Sequence, residues 1–128
     1  MLVAAFDPGR NVGFALVDQA GELLNAKILE AAELERLPLP DAARVVIGDG
    51  TGSEELRHLL ERRGFTPLLV DETGSTLEAR RLYFRDHPPR LPWRLLPAGM
   101  WWPPRLIDDY AAYAIALRFL QGKAGTPA

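Results

Sequence analysis

Residues 3–14, VAAFDPGRNVGF, place an aspartate at the end of an apolar run and follow it directly with Pro-Gly. The run before Asp7 has the composition of a buried strand, and Pro8-Gly9 indicates a turn. An acidic side chain at the tip of such a strand starts the turn, binds a metal ion or belongs to a phosphate-binding loop. This stretch alone leaves all three choices open, and the rest of the chain has to decide between them.

The chain has the size and composition of one ordinary globular domain. It has 128 residues, of which 48% are hydrophobic and 25% are charged. No apolar stretch approaches the roughly 20 residues that a membrane helix needs. We therefore expect a cytoplasmic protein without membrane association, with one domain over residues 1–122 and a short C-terminal tail over 123–128. Cysteine is absent, which excludes disulfides and thiolate metal sites.

Basic and aromatic residues are concentrated in one part of the chain. The net charge is −2, but residues 78–105 contain six arginines and two acids, so this part carries +4 and the remainder −6. All three tryptophans lie there as well. Two interpretations are open. In the first, the arginines bind phosphates and the tryptophans stack on bases. In the second, the tryptophans cover the sheet and the charged ends of the arginines extend into water. The residues that we expect to bind nucleic acid are Arg80, Arg81, Arg85, Arg94, Trp101 and Arg105.

The pattern of apolar runs and turns predicts the element order β β β α β α β α. The first three runs are joined by short turns, which indicates an antiparallel meander. The runs ARVVIGDG and FTPLLVDE alternate with helical patterns, which favours parallel strands. The last helix, within LIDDYAAYAIALRFLQG, is predicted to end at Gly122. We therefore expect an α/β fold with a five-stranded mixed sheet, three antiparallel and then two parallel strands, flanked by helices.

The region before the last helix combines a predicted helix with a long loop. Ser75 and Glu78 have the spacing of a capping box, which predicts a helix from about Thr76 to Asp86. Residues 87–106 contain six of the eleven prolines, so they are predicted to be irregular. A loop of this length without regular structure is usually functional or mobile.

Acidic residues stand at the ends of several predicted elements. They are Asp7, Asp49, Asp71, Glu72, Asp108 and Asp109. Functional groups collect at the carboxyl edge of open α/β sheets, and carboxylates gathered there stay ionised only with cations between them, as in a Mg²⁺ site. Ordinary interpretations stay open: Asp7 and Asp49 as turn formers, and Glu72 as a solvated surface residue. One of the pair Asp108 and Asp109 is expected to serve the first turn of the last helix.

Four stretches of the chain resemble the YqgF family, also described as RuvC-resolvase-like proteins or pre-16S rRNA nucleases. They are AFDPGRNVGFAL, VVIGDGTGS, VDETGSTLEARRLYF and IDDYAAYAIALRFL, in the family's order and spacing. The most specific pieces are DE..ST.EAR and DD.AA.AIAL. The resemblance spans nearly the whole chain and implies an RNase H-like fold.

The resemblance also implies an activity: phosphodiester cleavage with Mg²⁺ or Mn²⁺, in the maturation of the 5′ end of 16S rRNA. It matches Asp7, Glu72 and Asp108 to the family's catalytic and metal-binding acids. Asp49 and Asp109 are further candidate ligands. The expected partner is RNA, with structured DNA as the other possibility, and the expected state is a monomer or homodimer.

Arg80, in STLEAR, matches a motif arginine of the family that could face the substrate, but the chain departs from the family elsewhere. GDGTGS replaces a GLP stretch and puts Asp49 where RuvC resolvases carry an acid. Ala111 stands where those resolvases have another carboxylate, and residues 87–106 have no clear counterpart. Two other functions therefore stay open: a Holliday-junction resolvase acting as a dimer, and a non-catalytic RNA-binding module of ribosome assembly.

Overall fold

Six strands form one mixed sheet in the computed structural model of the protein, which describes residues 1–122 and 124–127. In chain order the strands are β1 (Leu2–Asp7), β2 (Val12–Asp18), β3 (Leu23–Leu29), β4 (Arg44–Gly48), β5 (Leu68–Val70) and β6 (Ala124–Pro127). Across the sheet the order is β3-β2-β1-β4-β5-β6. β1, β2 and β3 are antiparallel, and β4 and β5 run parallel to β1. The five predicted strands are therefore confirmed in their order along the chain and in their directions.

The sixth strand is a difference from the sequence prediction. β6 pairs antiparallel with β5 at the edge of the sheet, where we expected only a short tail. Its sequence, AGTP, contains glycine and proline, which are depleted in strands, so its composition gives no strand signal. Pairing with β6 satisfies backbone groups on an edge of β5 that would otherwise be free.

Helices cover both faces of the sheet in the described part of the chain. They are α1 (Ala31–Arg36), α2 (Ser53–Arg62), α3 (Ser75–Asp86) and α4 (Asp108–Leu120). Between α3 and α4, residues 87–106 contain only two single 3₁₀ turns, Trp93–Leu95 and Ala98–Met100, as their prolines predict. None of the helices described is long and apolar enough to cross a membrane.

The central strand β1 separates the core into two layers. Because side chains alternate along a strand, Val3 and Ala5 face α3 and α4, whereas Ala4 and Phe6 face α1 and α2. All four are fully buried, as expected for a strand covered on both faces. The same alternation directs the next residue, Asp7, to the side of α4.

α4 is the helix most deeply embedded in the molecule. Its residues 109–116 are all buried, and its alanines let it lie close to the strands beneath it. Arg118, near its end, donates to the Glu78 carboxylate of α3 and to the backbone carbonyl of Asp71, each at 2.7 Å. These bonds tie α4 both to α3 and to the segment that follows β5.

The capping box predicted for α3 is wrong. The N-cap position is occupied by Gly74, with φ of +77°, and no side-chain hydrogen bond caps the helix. Glycine adopts this left-handed conformation without the steric penalty that other residues incur. Glu78 pairs with Arg118 of α4 instead of reaching back to the helix start, because a charge-assisted hydrogen bond is the stronger one.

Candidate functional site

Three neighbouring parallel strands bring their carboxyl ends to one edge of the sheet. β1 ends at Asp7, β4 ends at Gly48, and Glu72 follows β5 by two residues. Side chains two positions apart on a strand point to the same face of the sheet. Ala5, Val46 and Val70 belong to the core layer beneath α4. The residues two positions further on, Asp7, Gly48 and Glu72, therefore also lie on the α4 side. α4 begins at the same edge with Asp108. The fold therefore gathers three acids from distant parts of the sequence.

Two glycines after the core of β4 make room for the Glu72 carboxylate. β4 lies between β1 and β5, so any side chain on its α4 side would stand between Asp7 and Glu72. A Cβ added at Gly48 would lie 2.8 Å from Oε2 of Glu72 and 2.7 Å from Cδ1 of Ile115. A Cβ added at Gly50 would overlap Oε1 of Glu72. Both positions must lack a side chain if Glu72 is to point toward Asp7.

Gly13 has the corresponding role for Asp108. It is the β2 residue paired with Asp7 across the sheet. A Cβ at Gly13 would overlap the carbonyl group of Asp108, so only glycine lets the first turn of α4 rest on β2 at this point. The stretch VAAFDPGRNVGF thus contains one acid of the site and the glycine that admits another.

The acids interact electrostatically. The pKa of Asp7 is raised from 3.8 to about 7, first by burial, then by the charge of Glu72 and hydrogen bonding to it, and least by the charge of Asp108. Burial also raises the pKa of Asp108, and the neighbouring Asp109 adds to this effect. Like charges held this close are relieved either by a proton or by a cation.

The chemistry of the donors fits a hard divalent cation, for which carboxylate oxygens are the preferred ligands. Within residues 1–122 and 124–127, no three acidic or histidine side chains form a ready-made ligand cluster. The pKa of Asp7 is raised both by the charge of Glu72 and by hydrogen bonding to it, whereas Asp108 contributes through its charge alone. Mg²⁺ commonly takes one or two protein carboxylates and completes its shell with water and substrate phosphate oxygens. Asp7 and Glu72, with Asp108 beside them, match that requirement.

Two further acids at this edge organise the turn that carries Glu72. Asp49 is exposed, and its Oδ1 accepts the backbone N–H of Glu72 at 3.2 Å. Asp71 accepts the backbone N–H and the hydroxyl of Thr73, and these two bonds are the main reason why its pKa is lowered. Asp71 therefore belongs to a turn, whereas Asp49 positions the backbone of a site acid.

Asp109 and two of the predicted nucleic-acid contacts are engaged in ion pairs. The buried Asp109 carboxylate accepts hydrogen bonds from both terminal nitrogens of Arg105, at 3.1 and 3.2 Å, and from the backbone N–H of Tyr110. It thus serves the first turn of α4, as expected for one member of the acidic pair. Arg85 pairs with Asp86 at 3.0 Å. A role in ion or phosphate binding for these side chains stays a prediction.

The other predicted contacts lie on α3 and in the segment after it. Arg80 donates to the Trp101 carbonyl at 2.6 Å, and its guanidinium lies 5.0 Å from the ring centre of Trp102. Arg94 donates to a backbone carbonyl of its own loop at 3.2 Å, and Arg81 is exposed. The ring of Trp101 is half-buried, whereas Trp102, which the sequence did not single out, is 79% exposed.

The chain matches no known family profile and no curated protein in sequence, but it matches solved structures in fold. RuvC of Thermus thermophilus in complex with a Holliday junction substrate superposes with a TM-score of 0.59 and 17% identity, over 100% of this chain and 99% of that one. A second Thermus thermophilus RuvC structure gives a TM-score of 0.56 and 16% identity, over 100% of both chains. The expected RNase H-like fold is therefore confirmed. The resemblance to the YqgF family stays a prediction.

Proposed function

We propose that this protein is a divalent-metal-dependent nuclease that hydrolyses phosphodiester bonds in RNA. The observation that carries the proposal is the convergence of Asp7, Glu72 and Asp108 at one edge of the sheet, with glycines wherever a side chain would block their approach. The repulsion among these acids is unfavourable for folding in the absence of a cation. Groups with perturbed pKa values, held together in this way, are typical of functional sites.

Each acid has a distinct part in this proposal. Asp7 lies at the end of a strand that is buried on both faces, and it would fix the position of Mg²⁺ or Mn²⁺. Glu72 is aimed by the hydrogen bond from its N–H to Asp49 and by the space above β4. Asp108 has a raised pKa, so it can exchange a proton nearer neutral pH than an ordinary aspartate can. When bound, the cation supplies charge stabilisation at the phosphate and lowers the pKa of water.

RNA is the proposed substrate, and 5′ maturation of pre-16S rRNA the proposed reaction, on the strength of the sequence resemblance. A Holliday-junction resolvase is the second candidate, because one structural neighbour was solved with a Holliday junction substrate. A resolvase must cut two symmetric strands and therefore acts as a dimer. The two candidates differ in substrate and in oligomeric state, so both are open to direct measurement.

The proposal is tested with purified protein, a 5′-labelled pre-16S rRNA fragment and a labelled four-way DNA junction, each with Mn²⁺ or with EDTA. The wild-type protein should cleave the RNA with Mn²⁺ only, and Asp7→Asn should not cleave it. Asp71→Asn is the matched control, because it removes a neighbouring acid that only forms a turn, and it should cleave normally. Full activity of Asp7→Asn, or cleavage in EDTA, would refute the proposal. Symmetric cuts in the junction without RNA cleavage would favour the resolvase.

A further inference from the structure

The irregular segment between α3 and α4 exposes an unusual amount of apolar surface. Every residue from 91 to 100 is exposed. Leu95 and Trp102 are each 79% exposed, and Trp93 and Met100 are each 64% exposed. Single exposed apolar residues are ordinary on a protein surface, but a contiguous cluster of them marks a binding site.

A half-open cavity of about 830 Å³ lies between this segment and the C-terminal half of α3. Its walls are largely apolar, and the rings among them belong to Tyr83, Phe84, His87, Trp93, Trp101 and Trp102. A second cavity of about 540 Å³ shares two of these walls and adds arginines of α3. Among the residues that the structure describes, no aspartate or glutamate lines either cavity. An aromatic surface therefore continues directly into a cationic one.

Several arginines of this surface retain an uncompensated charge. Those without an acidic partner in the part of the chain that the structure describes are Arg80, Arg81, Arg90 and Arg94. Arg80 covers one face of the Trp102 ring at 5.0 Å, and the exposure of that ring leaves its other face to solvent. A ligand that complements this surface has flat apolar rings and negative charges in alternation.

We propose that this surface, formed by residues 87–106 and the adjoining side of α3, binds unpaired nucleotides of a single-stranded nucleic acid. Bases stack on exposed aromatic rings, here above all on Trp102, while the arginines contact phosphates. A duplex keeps its bases stacked on one another, so it has no free rings to place in an aromatic cavity. The segment is followed in the chain by Asp108 of the candidate site, where α4 begins. The inference rests on the proposed function and specifies that its substrate contains an unpaired stretch.

The test is a binding measurement in EDTA, where metal-dependent cleavage does not occur. Fluorescence anisotropy gives the Kd of the wild-type protein for a labelled RNA of about 12 nucleotides, for the same sequence as DNA, and for the matching duplexes. Single strands should bind at least about tenfold more tightly than duplexes. The RNA and DNA arms show which sugar the surface prefers.

Variants locate the binding on this surface. Trp102→Ala should weaken single-strand binding about tenfold, and Trp102→Phe should restore most of it, because stacking needs only a flat ring. Leu24→Ala, which removes an exposed apolar side chain of β3, should have no effect. Arg81→Ala should reduce the slope of log K against log salt by about 0.7, whereas Arg62→Ala on α2 should not change it.

The inference is overturned if duplexes bind as tightly as single strands, or if Trp102→Ala binds like the wild type. It is also overturned if no oligonucleotide binds. If Trp102→Ala then converts a dimer to a monomer in sedimentation, the surface is an interface between copies instead. Single-strand binding without any Mn²⁺-dependent cleavage would refute the proposed function and leave this inference intact. Cleavage that Trp102→Ala leaves unaffected, together with equal binding of single strands and duplexes, would refute this inference and leave the proposed function intact.

Discussion

Replacing Asp7 with asparagine should make the cation-free protein more stable and at the same time abolish cleavage. Burial, Glu72 and Asp108 together raise the pKa of Asp7 to about 7. At neutral pH and above, folding must therefore hold like charges together at this edge of the sheet. Asparagine has nearly the same size, carries no charge and can donate a hydrogen bond to Glu72, so it removes the repulsion without leaving a cavity.

The magnitude follows from the two pKa values, 3.8 in the unfolded chain and about 7 in the folded protein. A difference of about three corresponds to about 4 kcal/mol, at about 1.4 kcal/mol per unit. Asp7 is partly exposed and solvent screens the repulsion, so we expect a gain of about 2 kcal/mol. For a domain of this size that is a rise in Tm of roughly 6–10 °C.

The sign of the pH dependence is fixed by the direction of the shift. Below about pH 4, Asp7 is protonated in both states, so asparagine brings no advantage. Between about pH 4 and pH 7 the folded wild-type protein holds a proton that the unfolded chain releases, and its stability falls as the pH rises. The advantage of Asp7→Asn should therefore grow over this interval and become constant above it.

Thermal unfolding in EDTA at several pH values measures this effect, with Asp71→Asn as the control that should bring no gain. Adding Mn²⁺ should then raise the Tm of the wild-type protein but not that of Asp7→Asn, because ligands stabilise only the state that binds them. A loss of stability in Asp7→Asn at neutral pH, or a gain of equal size at every pH, would refute the reasoning.

Three other substitutions test the packing around the site. Gly13→Ala should destabilise the protein by about 1–3 kcal/mol in urea unfolding, because the new methyl group meets the backbone of Asp108; an unchanged midpoint would contradict this. In Gly50→Ala the new methyl group meets only the end of the Glu72 side chain, so the free energy of unfolding should change by less than about 1 kcal/mol. Mn²⁺ binding should weaken about tenfold, because the Glu72 carboxylate is displaced. Normal Mn²⁺ affinity would argue against the role given to Gly50. Arg118→Met should cost about 2 kcal/mol, because it leaves the partner carboxylate on α3 unpaired, and an unaltered Tm would exclude a stabilising ion pair.

Most of the fold could be predicted from local patterns. The runs that became β1, β4 and β5 are short, apolar and bounded by turn residues, and strands separated by helices are normally parallel. β6 could not be predicted, because it exists through pairing with the edge of β5 rather than through its own composition. The start of α3 was misjudged for a similar reason: a partner on α4, distant in sequence, competes for Glu78.

The candidate acids could be proposed from their places at strand ends and from the family resemblance, but the glycines between them could not. The sequence GDG indicates a turn, and only the sheet order shows that Gly48 lies between strands carrying Asp7 and Glu72. The close contact of Gly13 with α4 likewise depends on tertiary packing. Glycine's lack of a side chain is visible in a sequence, but the neighbour that requires it is not.

Two of the arginines pair with acids that are near neighbours in the sequence. Arg105 lies four residues before Asp109, outside α4, and Arg85 is adjacent to Asp86, so both acidic partners are close in sequence. The exposure of Trp102, in contrast, has no sequence signal, because the segment that contains it lacks the periodicity from which burial is inferred.

The central claim is that Asp7, Glu72 and Asp108 together bind a divalent cation. A Mn²⁺ titration of the purified protein at about pH 8, with free Mn²⁺ followed by electron paramagnetic resonance, tests it most directly. The wild-type protein should bind at millimolar concentration or below, Asp7→Asn and Glu72→Gln should each bind at least about tenfold more weakly, and Asp71→Asn should bind like the wild type. No binding by the wild-type protein at millimolar Mn²⁺, or equal losses in Asp71→Asn and Asp7→Asn, would contradict the claim and favour a non-catalytic RNA-binding module.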